Sequence, residues 1–120
     1  MILAVAVESN DKSSPVSERF GRGAGFFIVD TDSGDMDFLD NSSSVARAHG
    51  AGVQAAKLIA ESGAEAVIVG HIGPGAFYTL EAAGLKVYSD YTGDLQKAIE
   101  DFKSGQLNYV KAPDVSGHWR

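Results

Sequence analysis

A chain of 120 residues with 44% hydrophobic side chains is the size of one domain, able to bury roughly two-thirds of its unfolded surface in a single core. A net charge of −6 argues against a duplex nucleic-acid partner, and no apolar run approaches the roughly 20 residues of a membrane span. The absence of cysteine excludes disulfides, thiolate metal sites and a cysteine nucleophile together.

Ile2–Val7 is an uninterrupted apolar run, the pattern of a strand buried on both faces within a parallel sheet. No basic segment precedes it and it ends at Glu8. It therefore reads as a first strand and not a signal peptide, and a cytoplasmic protein is expected. Ser9–Ser17 is polar and contains Pro15, hence a long loop, which carries Lys12 and ends in Arg19, Phe20 and Arg22. Gly23 and Gly25 precede the next strand, Phe26–Val29, instead of opening a helix, so they form no dinucleotide fingerprint.

Thr31–Asp35 is a hairpin-type turn, and Met36–Asp40 pairs back as an edge strand blunted by its aspartates. Asn41–Ser44 is a second polar loop; its Asn41-Ser42-Ser43 sequon is fortuitous without secretion. Arg47, His49 and the Gly50–Gly52 turn then lead into a helix ending near Ser62 with Gly63 beyond its end. Val53, Ala56, Ile59 and Ala60 form the expected buried stripe of that helix, with Leu58 beside it.

Ala66–Gly70 is a second doubly buried strand, followed at once by the glycine-rich turn His71–Gly75. Pro74 suits the first position of the next helix, which puts Gly73 at its N-cap with no side chain to take the first backbone N–H groups. Those donors and the positive helix end are suited to an anion, with His71 alongside. The same glycines also suit a plain tight turn that binds nothing. Leu85–Tyr88 is a short fifth strand, and Asp94 caps a helix whose Leu95, Ala98, Ile99 and Phe102 make one apolar face. Residues 1–105 thus form one domain, and residues 106–120 are a loosely patterned tail containing Pro113, His118 and Trp119.

The order β-β-β-α-β-α-β-α, a meander followed by right-handed crossovers, predicts a three-layer α/β/α domain. Its expected five-stranded mixed sheet has order 3-2-1-4-5, the ribonuclease H-like architecture. The loops Ser9–Arg22, Asn41–Gly50, His71–Gly75 and Ser89–Gly93 would meet at one sheet edge, where open α/β sheets hold ligands. Lys12, Arg19, Arg22, Arg47, His49 and His71 all fall in these loops, six of the 13 basic and histidine side chains (10 and 3). Charged loop residues are ordinarily just solvated, but this local concentration on an acidic chain favours a site.

The acidic two-metal set of nucleases on this scaffold has no counterpart here, since Glu8 stands alone beside apolar strand ends. No Gly-x-Ser-x-Gly elbow is present, and the histidines are not at metal-finger spacings. His49 precedes a helix N-terminus, which favours its neutral form, able either to ligate or to donate. His71 suits a hydrogen bond to a neighbouring loop as well as a ligand role.

Ser14–Ser17, Arg19–Arg22 and Phe27–Asp30 resemble the opening signature of the dinitrogenase iron-molybdenum cofactor family, the group of NifX and the C-terminal domain of NifB-type proteins. Gly50–Ala55, Gly70–Phe77, Lys86–Tyr88, Thr92-Gly93, Ala112–Asp114 and Gly117-His118 extend the resemblance over nearly the whole chain. It implies a ribonuclease H-like fold and a non-enzymatic role in binding, carrying or assembling a molybdenum-containing metal–sulfide cluster, of Mo–Cu–S type or an FeMo-cofactor precursor. Carried over, the binding edge comprises Arg19, Phe20, Arg22, Arg47, His49, Gly50, Gly52, His71, Gly73 and Gly75.

Many members have His where this chain has Arg19, and end in a Cys-Pro-Gly-His-like tail where this chain has Val115–His118. Without that cysteine a thiolate cannot ligate the cluster. The resemblance is then to cysteine-free members associated with a Mo–Cu sulfide cluster, held non-covalently by charge and hydrogen bonds. The implied partners are the anionic cluster and cluster-donor or acceptor proteins, with no nucleic acid or membrane, around a monomer or weak dimer. A protein-interaction adaptor without cofactor and a phosphotransfer or hydrolytic enzyme on the same scaffold are the competing readings.

Overall fold

The fold was taken from a computed structural model, which describes residues 1–42 and 50–114. Strand β1 (Ile2–Val7) is central and buried over Leu3–Val7. It pairs antiparallel with β2 (Gly25–Asp30), Leu3 opposite Val29 and Val5 opposite Phe27. On its other side it runs parallel to β4 (Ala66–Ile68), Ala4 opposite Val67. Strand β3 (Met36–Asp40) closes one edge against β2, and β5 (Lys86–Tyr88) lies outside β4. The observed order, β3-β2-β1-β4-β5, is the expected one.

The pleat of β1 divides the core in two. Ala4 and Ala6 face α1 (Ala51–Glu61) and α2 (Pro74–Ala82), in a cluster with Phe20, Phe26, Ile59, Phe77 and Leu80. Leu3, Val5 and Val7 face α3 (Leu95–Lys103) through Leu95, Ala98 and Ile99. The small side chains of β1 thus lie where phenylalanines from three other segments must be accommodated. Asp94 caps α3 as anticipated, its carboxylate accepting the Lys97 N–H at 2.8 Å.

Three expectations change. The buried stripe of α1 is Ala51, Ala55, Ala56 and Ile59, whereas Val53 and Ala60 are only half-buried. Small residues occupy the contact because α1 lies close along α2: a Cβ on Gly52 would stand 3.3 Å from the Ala76 Cβ, and one on Gly75 3.0 Å from Val53 Cγ2. Strand β4 ends at Ile68 and not at Gly70: Val69 still reaches the last residue of β5, but Gly70 turns to the Ser17 segment. The Val69 N–H donates to Tyr88 O at 3.0 Å, and the Gly70 N–H to Ser17 O at 2.9 Å. Finally, the segment after α3 lies along the outer edge of β5, where the Val110 N–H donates to Val87 O at 2.7 Å. Lys86 Nζ stands 5.1 Å above the Tyr109 ring, so an edge strand that would otherwise be exposed is covered.

Candidate functional site

Beyond the end of β1, the segment Ser17–Phe20 takes over its place beside the continuation of β4. The Gly70 N–H donates to Ser17 O, the His71 N–H to Glu18 O (2.7 Å) and the Phe20 N–H to His71 O (2.9 Å). Arg19 and His71 are thereby paired as neighbours in a short parallel bridge. This approach needs glycine at position 70, since a Cβ there would fall 2.6 Å from the Glu18 carbonyl oxygen.

The same loop then touches the start of α1. Gly21 has φ +88°, and a Cβ on it would fall 2.9 Å from Gly52 Cα and 3.1 Å from Ala51 O. Only glycine combines that left-handed backbone with so close an approach. Asn41, buried at the end of β3, fixes the loop from beneath: its Nδ2 donates to Gly21 O at 3.0 Å and Gly23 O at 3.3 Å. The Asn41 Oδ1 is buried without a partner among the described residues.

Three predicted pieces therefore meet: the Arg19–Arg22 loop, the Gly50–Gly52 turn and the His71–Gly75 turn. Helices α1 and α2 begin side by side, with Gly50 and Gly73 as N-caps and no capping side chain bonded at either. Each helix end carries a partial positive charge equivalent to about half a proton. Arg19 is half-buried, Arg22 exposed and His71 half-exposed. Phe20 is buried in the core, its ring 5.4 Å from that of Phe26. Arg47 and His49, and with them His118, lie outside the described residues. The half of the Ser9–Arg22 loop carrying Lys12 is drawn toward α3 instead, Ser14 O accepting the Leu95 N–H at 3.0 Å. Ser89–Gly93 does reach the end of β4, the Asp90 N–H donating to Gly70 O.

Sequence reasoning missed the partner of His71. Asp114 Oδ2 lies 2.7 Å from His71 Nδ1, and its Oδ1 accepts the Ile72 N–H at 2.7 Å. The contact spans 43 positions and has no periodic or local signature; the Ala112–Asp114 motif was its nearest sequence trace. Among the described residues, no group of three or more His, Asp or Glu is placed to hold a metal ion. With no thiol in the chain, this edge brings together cationic side chains, an imidazole, backbone N–H groups and the carboxylate of Asp114.

The fold is that of a ribonuclease H-like α/β domain, and among the described residues its strand ends lack the acidic metal-binding set of the nucleases. Comparison with known proteins makes the class specific. Residues 1–105 match the family described as dinitrogenase iron-molybdenum cofactor, and the chain belongs to that family. The apo form of the orange protein from Desulfovibrio gigas superposes with a TM-score of 0.92 at 38% identity, over 95% of this chain and 96% of that one. A NifB-like protein from Thermotoga gives 0.79 at 36% identity, over 95% and 98%. An uncharacterized protein of Methanocaldococcus jannaschii is 33% identical over 109 residues, 89% of each chain. Family membership ties the chain to proteins concerned with the iron–molybdenum cofactor. Among the described residues no helix is long and apolar enough to cross a membrane.

Proposed function

We propose that this protein binds and carries a molybdenum-containing metal–sulfide cluster, Mo–Cu–S or an FeMo-cofactor precursor, and does no chemistry on it. The cluster is received from and passed to other cluster-handling proteins. The observation that carries this reading is the Arg19–Arg22 loop packed against the glycine-capped start of α1 and bridged at Arg19 to the His71 turn that leads into glycine-capped α2. A sulfide polyanion placed there meets guanidinium groups, an imidazole and the backbone N–H groups of Gly50, Gly52, Gly73 and Gly75. It needs no bond from the protein to metal. Phe20 supports the loop from the core side, and Arg47 and His49 join the set on sequence grounds. Membership of a cofactor-related family and similarity to the orange protein support the reading.

Exposed charge contacts are worth roughly 0.5–1 kcal/mol each, so three arginines supply about 1.5–3 kcal/mol, or roughly 10–100-fold in affinity. Anaerobic titration of the apoprotein with tetrathiomolybdate, with and without copper(I), should give a saturable visible spectrum. Arg19→Ala, Arg22→Ala and Arg47→Ala combined should weaken binding by about that factor. Affinity should also fall as salt shortens the screening length from about 10 Å at 0.1 M to about 3 Å at 1 M. A triple variant that binds as tightly as the parent refutes the electrostatic hold.

A further inference from the structure

One carboxylate already occupies donors of this edge. Asp114 takes the His71 ring nitrogen and the Ile72 N–H with its two oxygens, both at 2.7 Å, immediately before the Gly73 N-cap. This is the bidentate geometry in which an external anion would be received at that turn. The carboxylate belongs to a segment tied down only four positions earlier, where the Val110 N–H donates to Val87 O at 2.7 Å. Further back, the Tyr109 ring packs at 6.3 Å from that of Tyr88. A group tethered so closely has a high effective concentration at its site, of millimolar order or above.

We propose that Asp114 is a resident counter-anion that selects the ligand of this edge by its charge. A singly charged ion gains nothing at His71 and Ile72 that Asp114 does not already have, and it lacks the tether. A polyanion large enough to reach Arg19 as well, the neighbour of His71 across the parallel bridge, adds a guanidinium to the two donors that Asp114 holds. Common monovalent anions are thus excluded, and a multiply charged cluster displaces the carboxylate. Displacement frees the Asp114 end of the 106–114 segment, so loading loosens the neighbouring strand-edge contact of Val110. The identity of the polyanion rests on the cluster-carrier reading above; the competition by Asp114 does not.

The test uses the full chain with Asp114→Asn, which keeps the shape and an acceptor, and Asp114→Ala, which removes both. Both variants should bind tetrathiomolybdate on the order of tenfold more tightly than the parent, the alanine variant more so. Millimolar acetate, a monovalent probe, should shift the Ile72 amide resonance in Asp114→Ala and leave the parent unmoved. In the parent, tetrathiomolybdate should speed hydrogen exchange at the Val110 amide. Weaker binding of tetrathiomolybdate by Asp114→Ala would make Asp114 a support of the donors and overturn the proposal. So would an Asp114→Ala protein blind to acetate. If tetrathiomolybdate binds none of the three proteins while acetate still moves Ile72 in the alanine variant, the cluster reading fails and the role of Asp114 stands.

Discussion

Replacing Gly70 by alanine asks whether the proposed ligand edge is assembled by backbones in contact. A Cβ there would fall 2.6 Å from Glu18 O, 2.8 Å from Glu18 Cα and 3.0 Å from Glu18 C. Ordinary carbon contacts lie at about 3.5–4.0 Å, so the overlap with Cα alone is roughly 0.7 Å. All three atoms are backbone, and no rotamer change relieves them; the Ser17–Phe20 segment has to move away. Overpacking of this kind costs about 1–3 kcal/mol. The shift also stretches the three hydrogen bonds from Gly70, His71 and Phe20 that hold the segment, each worth about 0.5–1.5 kcal/mol. With the bonds weakened and not lost, the sum is about 2–4 kcal/mol, a fall in Tm of about 8–16 °C at this chain length. Gly84→Ala is the control: its φ is +85° but a Cβ there meets nothing within 4 Å, so only the left-handed penalty of about 1–2 kcal/mol applies. Calorimetry and urea titration measure both variants, and tetrathiomolybdate titration reads the edge. Gly70→Ala should be the less stable and should alone lose affinity, because it parts Arg19 from His71. If Gly70→Ala is as stable as Gly84→Ala and binds like the parent, the backbone contact does not build the edge.

Two further predictions concern groups around the sheet ends. Burial first, then the hydrogen bond its hydroxyl donates to Asp101 at 2.8 Å, raise the pKa of Tyr91 above the ordinary phenol value. Its stabilising contribution is therefore complete below about pH 10 and is lost as pH rises beyond it, since the unfolded chain gives up the proton first. Tyr91→Phe should cost about 1 kcal/mol at neutral pH yet decline less steeply in urea unfolding above about pH 10; an unchanged alkaline slope would disprove the assignment. Asn41→Asp replaces two donated hydrogen bonds to Gly21 O and Gly23 O by a buried carboxylate facing carbonyl oxygens, a loss of about 3 kcal/mol or more at neutral pH. Such a carboxyl is held neutral, its folded pKa above the unfolded value of about 3.9, so the deficit should shrink as pH falls toward 4. A deficit that stays constant between about pH 4 and pH 8 would show that the site admits water.

The parts of this structure that could be read from sequence are those set by local physics. Continuous apolar runs mark β1 and β4 as central strands, and Asp94 and the Gly73-Pro74 pair mark two helix starts from the needs of their backbones. The stripe of α1 was placed on Val53, Ala56, Ile59 and Ala60, of which Ala56 and Ile59 are buried, because periodicity follows the apolar spacing and not the neighbouring helix. What decides burial there is the nearness of α2, and that selects Ala51 and Ala55. The meeting of Arg19 with His71 follows from topology once the strand order is known. Gly70, Asn41 and Asp114 escaped notice because their roles are contacts with chain far away. A glycine needed for close approach looks like one needed for a turn. A buried asparagine looks like a loop residue, and an aspartate after proline looks like the start of a tail.

The chain is acidic overall, yet the edge proposed to receive an anion gathers positive groups and takes one of the protein's own carboxylates as occupant. These facts fit together if reversibility is the property required. A thiolate bond to metal would have to be broken for the cargo to leave, whereas charge contacts and N–H donors let go of a ligand in small steps. A purely cationic edge on an otherwise neutral protein would hold every multivalent anion it met. Net negative charge lowers the attraction at a distance, where screening also acts over about 10 Å. At contact, the Arg19–Arg22 loop and the two helix ends dominate because the field there is local. Asp114 then returns to the His71 ring and the Ile72 N–H as the cargo departs, so the buried Ile72 amide need not be left without an acceptor, which would cost about 1–3 kcal/mol. On this account the carboxylate that competes with loading also lowers the barrier to release, and removing it should lengthen the residence time of tetrathiomolybdate more than it changes the rate of capture.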